Sequence, residues 1–403
     1  MRCDDLLTVK DEQISLQNQY FAKIKEAAIN LHQQHHSFDQ KTGKFVSFGV
    51  IRMANIPPCI NLTYFLLQAE WEDTIAPKVM AYHSRQVLLL RHEQEQHLDD
   101  VLKRKEKSGE IPKAFENPLI RSHLDSTNAQ NVLFILVATP VEEVGRDHDF
   151  DWAIIEPSSY RSIIQLAGRV RRHRKSAVDQ PNIAIMQYNL KALRQDKKPA
   201  YCRPGYEVKS LKLASNDLTQ LIDEVAINKA INAIPRIQQP ENLRPKYQLA
   251  DLEHQAINNS LTQYQTKGPQ GLQAWLSESW WLTAVPQQLN RFRDSRPDIT
   301  LYLVWRDDKA IFCEKTECGE FIPCTERQNV TSFPAFTHDE KSKLWLERDY
   351  ETALRRLIDS NTQENEEEQL MLKKSKRFGE INFPEAKNKG FFYSDQFGLL
   401  SRE

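Results

Sequence analysis

The sequence predicts an α/β protein: a parallel sheet with helices on both faces, followed by a helical linker and a small α+β module. Three observations predict it. Val132–Ala138 (VLFILVA) is an unbroken apolar run, too short for a typical helix. It lacks the alternation of a half-wet strand, so it suits a strand buried on both sides. Strand-like runs alternate with helical patterns through the first half, the order that builds parallel βαβ units. From Asp298 onward the pattern turns β-rich.

Taken in order, residues 1–40 are polar with a helix from Glu12 to His32, whose Ile14, Leu16, Tyr20, Phe21, Ile24, Ala27, Ala28 and Leu31 form a stripe at helical period. His32, His35 and His36 read as loose surface histidines, since nothing nearby completes a metal-ligand set. Lys44–Met53 reads as a strand, Asn55–Pro58 as a loop, Cys59–Ala69 as a helix, Lys78–His83 as a strand and Gln86–Lys107 as a long charged helix. The strand Val132–Ala138 ends at Thr139-Pro140. Asp151–Glu156 is a second short strand ended by Pro157-Ser158-Ser159, and Ser159–Arg172 a helix with Ile163, Ile164, Leu166, Ala167 and Val170 apolar. Asn182–Tyr188 closes the series as a strand.

Lys191–Lys209 is a basic connector, Leu218–Ile231 a helix and Ile234–Pro245, with three prolines, an extended linker. Leu249–Gln263 and Leu272–Leu276 are helical again, and Trp275, Trp280 and Trp281 read as core aromatics. Ile299–Trp305, Lys309–Lys315 and Gly319–Phe321 are strands, Trp345–Ser360 a helix, Gln363–Gln369 a solvated acidic run, Lys373–Arg377 a basic one and Lys389–Leu400 a last strand. The expected boundaries are 1–40 (N-terminal helical segment), 41–200 (sheet domain), 201–297 (helical linker) and 298–403 (α+β domain).

Composition narrows the function classes. A formal charge of −1 over 403 residues gives no global field for nucleic acid, so any such binding must come from local patches. No apolar run approaches the roughly 18 residues of a membrane span, and Met1 opens no signal peptide, so a cytoplasmic protein without membrane contact is expected. Among the six cysteines, Cys313, Cys318 and Cys324 are close but poorly spaced for zinc, and reduced thiols are expected. His148-Asp149 spells a metal-nuclease dipeptide without further ligands beside it. Asp223-Glu224 reads as a solvated helix face, and no metal site is expected.

The chemistry gathers between Thr139 and Lys175. Arg161–Lys175 holds six Lys/Arg and no carboxylate. Arg169 and Arg172, three apart, can share one face of a helix and, backed by Arg171, Arg174 and Lys175, offer forked donors to a phosphate. The bland alternative is a solvated basic helix end, favoured by the macrodipole. Polar residues just past strand ends line the ligand crevice of a parallel sheet; Arg52, Asn55, His83, Ser84 and Arg85 qualify.

Thr139, Gly145 and Asp147 resemble the fifth motif of superfamily 2 helicases, T-x5-G-x-D, and Gln165, Gly168, Arg169 and Arg172 resemble the sixth, Q-x-x-G-R-x-x-R. With GVIRMANI, AYHSR and QLAGRVRRHR, the chain from about Lys41 onward resembles the second RecA-like domain and C-terminal domain of the type I CRISPR-associated helicase-nuclease; WWLTAVPQQLNRFRDS points to subtype I-F. The resemblance implies an arginine finger at Arg172 and next Arg169, with Gln165 beside them in the catalytic motif. It implies ATP contacts at Gly145, Asp147 and Gly168, and nucleic-acid contacts at Thr139, His83, Ser84, Arg85, Arg52 and Asn55. ATP and Mg2+ would be held mainly by a first motor lobe.

No G-x4-G-K-[ST] phosphate loop occurs, Thr42-Gly43-Lys44-Phe45 lacking the first Gly and the hydroxyl. The expectation is therefore a chain that starts near the join of the two motor lobes, as a truncated frame or a split subunit. The first lobe and the nuclease domain would act in cis or trans. Expected partners are single-stranded DNA and the crRNA-guided surveillance complex, with no ATP hydrolysis by the chain alone. Rival readings are a non-catalytic adaptor for single strands or a guide complex, and a nucleotide-sugar transferase lobe, which the sixth motif disfavours.

Overall fold

The computed structural model describes residues 1–8, 13–107, 110–143, 145–174, 177–194, 199–262, 278–289, 298–358, 364–384 and 390–402. The helix expected at 272–276, Trp275 and Lys175 lie outside them. No described helix is long and apolar enough to cross a membrane. The chain divides into two compact units, one of residues 9–156, 165–185 and 298–403, the other of residues 1–8, 157–164 and 186–297.

The first unit is built on a six-stranded sheet. Its strands are β1 (Ser37–Asp39), β2 (Lys44–Arg52), β3 (Ile75–Tyr82), β4 (Asn131–Ala138), β5 (Trp152–Ile155) and β6 (Ile183–Ile185), in the order β3-β4-β2-β5-β6. All neighbours on this path are parallel, and β1 adds to β2 antiparallel. The expected parallel sheet is present. Every β4 residue from Val132 to Ala138 is fully buried, each large side chain contributing roughly 1.5–3 kcal/mol. Flanking it are α1 (Gln13–Gln34), α2 (Ile56–Gln68), α3 (Leu88–Leu102) and α4 (Pro118–Ser126), while α5 (Tyr160–Ala167) is divided between the two units.

The α1 stripe is buried as read, at Leu16, Tyr20, Phe21, Ile24, Ala28 and Leu31, but His32 is not a loose surface residue. It is buried between Ser47 Oγ (2.7 Å) and Asn131 Oδ1 (3.2 Å), and burial lowers its pKa to about 4. Helix α2 starts at Ile56, so Pro57 and Pro58 open the helix instead of belonging to a loop before it. At the first helical positions proline lacks only an N–H that would be unpaired anyway.

In the second unit the helix expected over Leu218–Ile231 breaks in two: a 3-10 turn, Leu218–Gln220, and α7 (Glu224–Lys229), which follows α6 (Leu190–Leu193). Asp217 and Asp223 each cap a helix start, their carboxylates accepting from Thr219 N and Ala226 N, and so divide it. α8 (Ile234–Ile237) forms inside the expected linker, α9 (Leu249–Thr262) matches its expectation, and α10 (Val285–Leu289) follows.

Residues 298–403 belong to the first unit. β7 (Asp298–Arg306), β8 (Lys309–Lys315), β9 (Phe321–Pro323) and β11 (Glu380–Pro384) form an antiparallel sheet; β10 (Val330–Ser332), β12 (Phe391–Ser394) and β13 (Gly398–Ser401) form another. α11 (His338–Ser342), α12 (Tyr350–Arg355) and α13 (Glu364–Phe378) complete it. The last strand expected over Lys389–Leu400 is a hairpin in the described residues, β12 turning into β13. The helix expected from Trp345 begins only at Tyr350. Trp345 itself is spent on the free edge of β3, where its N–H donates to Val79 O at 3.0 Å.

Candidate phosphate and strand site

β4 ends at Ala138, and Thr139 N donates to Tyr82 O at 3.1 Å, holding this exit level with that of β3. A 3-10 turn, Pro140–Glu142, follows, and the chain then turns at Gly145 with φ +75°, a left-handed conformation that glycine adopts without strain. Past it the run Asp147-His148-Asp149-Phe150-Asp151 is extended into β5, so its three carboxylates recur at every second residue.

Helix α5 ends at Ala167, five residues short of the expected Arg172. Arg169 N closes the last turn on Leu166 O (2.8 Å). The chain then pairs with the extended run, Phe150 N donating to Arg169 O at 2.8 Å and Arg171 N to Phe150 O at 2.9 Å. Arg171 has φ +49°. Arg169 and Arg172 therefore lie in a turn and do not share a helix face. Gly168, a residue that ends helices readily, was the available signal.

The cluster's carboxylates come from the extended run. Arg172 Nε donates to Asp147 Oδ1 at 2.9 Å and Nη1 to Gly168 O at 3.2 Å, with the Arg172 side chain 40% exposed and that of Asp147 46%. His173 Nε2 also meets Asp147 Oδ1 at 2.9 Å. Asp147 is barely buried, and bonds from Arg172 and His173 hold its carboxyl below the ordinary range. The Arg174 side chain is only 7% exposed: Nη2 reaches Asp149 Oδ1 and Nη1 reaches Asp151 Oδ1, both at 2.6 Å. Arg104 Nη1 joins Asp151 Oδ1 at 2.7 Å. Burial would raise the Asp151 carboxyl, but Arg104 and Arg174 outweigh it and keep it low. The expectation of a basic cluster without neutralising carboxylates is corrected. Asp149, Asp151, Arg104 and Arg174 are a buried clamp that sequence reading missed, although carboxylates at period two were its signal.

Arg169 is also buried, Nη2 donating to Glu143 O at 2.9 Å. Gln165 is half-buried at the end of α5, and Gly168 is exposed. The HD dipeptide is structural: His148 Nδ1 meets Glu142 Oε1 at 2.7 Å and Asp149 holds Arg174. Among the described residues no group of three or more His, Cys, Asp or Glu comes together as a metal site.

The expected strand contacts divide by burial. Arg52 is fully buried, Nε on Glu143 Oε1 (2.8 Å) and Nη1 on the backbone Glu156 O (2.7 Å), so its guanidinium is held by one carboxylate and one peptide carbonyl and does not face a strand. His83 is fully buried as well. Its Nε2 meets Phe397 O at 2.9 Å, Arg85 N donates to its Nδ1, and burial lowers its pKa to about 3; it is a neutral brace and not a cationic contact. Thr139 is buried, Asn55 and Arg85 are half-buried, and Ser84 is exposed. Of the expected site residues, Ser84, Gly145, Gly168 and Arg172 are therefore exposed, and Asn55, Arg85, Asp147 and Gln165 are half-buried.

Residues 46–175 match the family model for the CRISPR-associated nuclease/helicase Cas3, C-terminal. The Cas3 subtype I-F/YPEST nuclease/helicase of Pseudomonas aeruginosa (strain UCBPP-PA14) is 41% identical over 228 residues, covering 57% of this chain and 21% of that protein. Its counterpart from Pectobacterium atrosepticum is 36% identical over 300 residues, 72% of this chain and 27% of that protein. The chain thus spans about a quarter of the length of these curated relatives. A crystal structure of a CRISPR-associated protein is similar with a TM-score of 0.43 and 13% identity, over 95% of this chain and 40% of that one. The T. fusca Cas3–ATP structure has a TM-score of 0.38 and 14% identity, over 95% and 39%.

Proposed function

We propose that this chain, which is similar in sequence to the C-terminal part of the subtype I-F Cas3 nuclease/helicases, supplies the second motor lobe and C-terminal domain of an ATP-dependent DNA helicase-nuclease in CRISPR interference. One observation carries the reading: the Gly145–Asp147 loop, which follows β4, and the Gly168–Arg172 turn, which ends α5, meet through the half-exposed Arg172–Asp147 pair. The loop begins at the carboxyl end of β4, the edge where parallel sheets bind ligands. The fit is to an anion: a forked guanidinium in reach of solvent, beside an exposed glycine. Arg172 is the arginine finger, releasing Asp147 for the γ-phosphate of an ATP that a first lobe holds with Mg2+. Gln165 and Arg169 support the turn, and Ser84, Arg85 and Thr139 belong to the strand path. Phosphate contacts of this kind grip a strand without reading it, and the guide complex chooses the sequence.

The chain alone is expected to hydrolyse no ATP. Mixed with a separately produced segment carrying a phosphate loop, it is expected to restore strand-stimulated hydrolysis, and Arg172→Ala is expected to lower turnover about 10³-fold or more. Hydrolysis by the isolated chain that Arg172→Ala abolishes would overturn the half-motor. A second reading, a non-catalytic single-strand adaptor, draws support from Arg172 being already matched by Asp147. Strand binding indifferent to nucleotide, even beside the added lobe, would favour it.

A further inference from the structure

Resting on the strand path proposed above, we infer that an aromatic platform built by the C-terminal segment stacks the bases of a single strand leaving the Ser84–Arg85 turn. Phe333 and Phe336 lie 5.9 Å apart with planes inclined by 22°, a stacked pair. Tyr64 of α2 stands edge-on to Phe333 at 5.1 Å, Phe392 edge-on to it at 6.2 Å, and Phe397 lies 5.2 Å from each phenylalanine of the pair. Phe397 is buried, whereas Tyr64, Phe333, Phe336 and Phe392 are each partly open to solvent. Each of these four rings keeps part of its surface in solvent, which any base can cover, each base worth a substantial share of affinity without sequence preference.

Two further observations select a nucleic-acid strand over an apolar protein. The platform is continuous with the candidate phosphate turn. Phe397 O takes His83, Leu399 N donates to Arg85 O at 3.0 Å, and Gly398 approaches so closely that a Cβ there would stand 1.9 Å from Arg85 O. A cation also lines it: the Arg402 guanidinium sits 4.8 Å over the Phe392 ring while donating to Thr331 Oγ1, and the half-buried Arg85 meets the same segment through its backbone. The neighbouring carboxylates are engaged, Glu340 in the capping box with Thr337 and Asp339 with Lys343 (2.7 Å). Partly exposed rings beside a guanidinium, continuous with the phosphate turn, fit a backbone tracked by charge with bases laid on rings.

The test is fluorescence anisotropy of the full chain with labelled oligothymidylate and with an abasic oligomer of equal phosphate count. Wild type is expected to prefer the thymidylate. Phe336→Leu and Phe333→Leu, which keep apolar packing but lose the π-face, are expected to weaken thymidylate binding about five- to a hundredfold and leave the abasic oligomer unchanged. Phe336→Trp is expected to retain it. Equal affinity for both oligomers in wild type, or leucine variants with native circular dichroism and unaltered thymidylate affinity, would overturn the platform while leaving the phosphate turn intact. Binding of neither oligomer would overturn both the platform and the strand path. Leucine variants that instead lose a protein partner from the guide complex, with strand affinity unchanged, would reassign the patch to protein docking and overturn the proposal.

Discussion

Arg172 and Arg174 are two residues apart in the same turn, yet solvent gives their ion pairs different worth. The Arg172–Asp147 pair is 40% and 46% exposed, and such pairs contribute about 0–1 kcal/mol. Asp147→Asn is therefore expected to leave urea stability within about 1 kcal/mol. It is also expected to raise the affinity for pyrophosphate, by up to about fivefold in a calorimetric titration; an unchanged or lower affinity would mean that Asp147 does not compete with anions for Arg172. The Arg174 side chain is buried against Asp149 and Asp151, and removing one partner of a buried pair leaves a stranded charge at about 3–5 kcal/mol. Arg174→Ala is expected to cost that much in urea unfolding, and a loss under 1 kcal/mol would refute the clamp. Asp147, Gly168 and Arg172, which meet here, lie in the two motifs that spacing made visible. The clamp was not visible, because no motif links Asp149 to Arg174 and only the fold brings these opposite charges, 25 residues apart, together.

At the scale of elements, strands buried on both faces were readable because apolar runs leave few other homes. The end of α5 was not, because Val170 is apolar and buried both in a helix register and in the bridge it makes with Phe150. The start of α5 is held by α9. Glu253 Oε1 accepts from Tyr160 N (2.5 Å) and Arg161 N (3.2 Å), while Arg236 Nε meets Oε2 at 2.9 Å. Burial still prevails and pushes the Glu253 carboxyl up to about 7. With the folded pKa above the unfolded one, the neutral form contributes to stability at acid pH. That contribution is full below about pH 4.5 and is lost as pH rises through about 7. Wild-type stability is thus expected to fall over this window by a few kcal/mol, on the order of 1.4 per pH unit, relative to Glu253→Gln. Parallel urea-stability profiles for the two proteins between pH 5 and 7.5 would refute the assignment.

Over the whole chain, the sequence invited a division at residue 298, because the pattern there changes from a helical linker to β-rich. Side chains from beyond that point nevertheless complete the central sheet's unit. Trp345 is fully buried. Its ring packs 5.3 Å from Phe134 of β4 and 5.9 Å from Phe48 of β2, and its Nε1 donates to His97 Nε2 at 2.9 Å. Its backbone O accepts from His123 at 2.7 Å, and the segment runs along β3, Val79 N donating to Lys343 O at 2.8 Å. An open β3 edge would present unpaired backbone groups to other chains; here residues 343–345 cover it. Truncating a buried tryptophan costs about 3–5 kcal/mol. If sheet and C-terminal segment fold together, that loss belongs to both. Trp345→Ala is expected to lower the urea midpoint of one shared transition, read alike by hydrogen exchange at β4 amides and at β7 amides. Two separated transitions, with β4 protection unchanged in the variant, would mean that the segment only rests on a sheet that is stable without it.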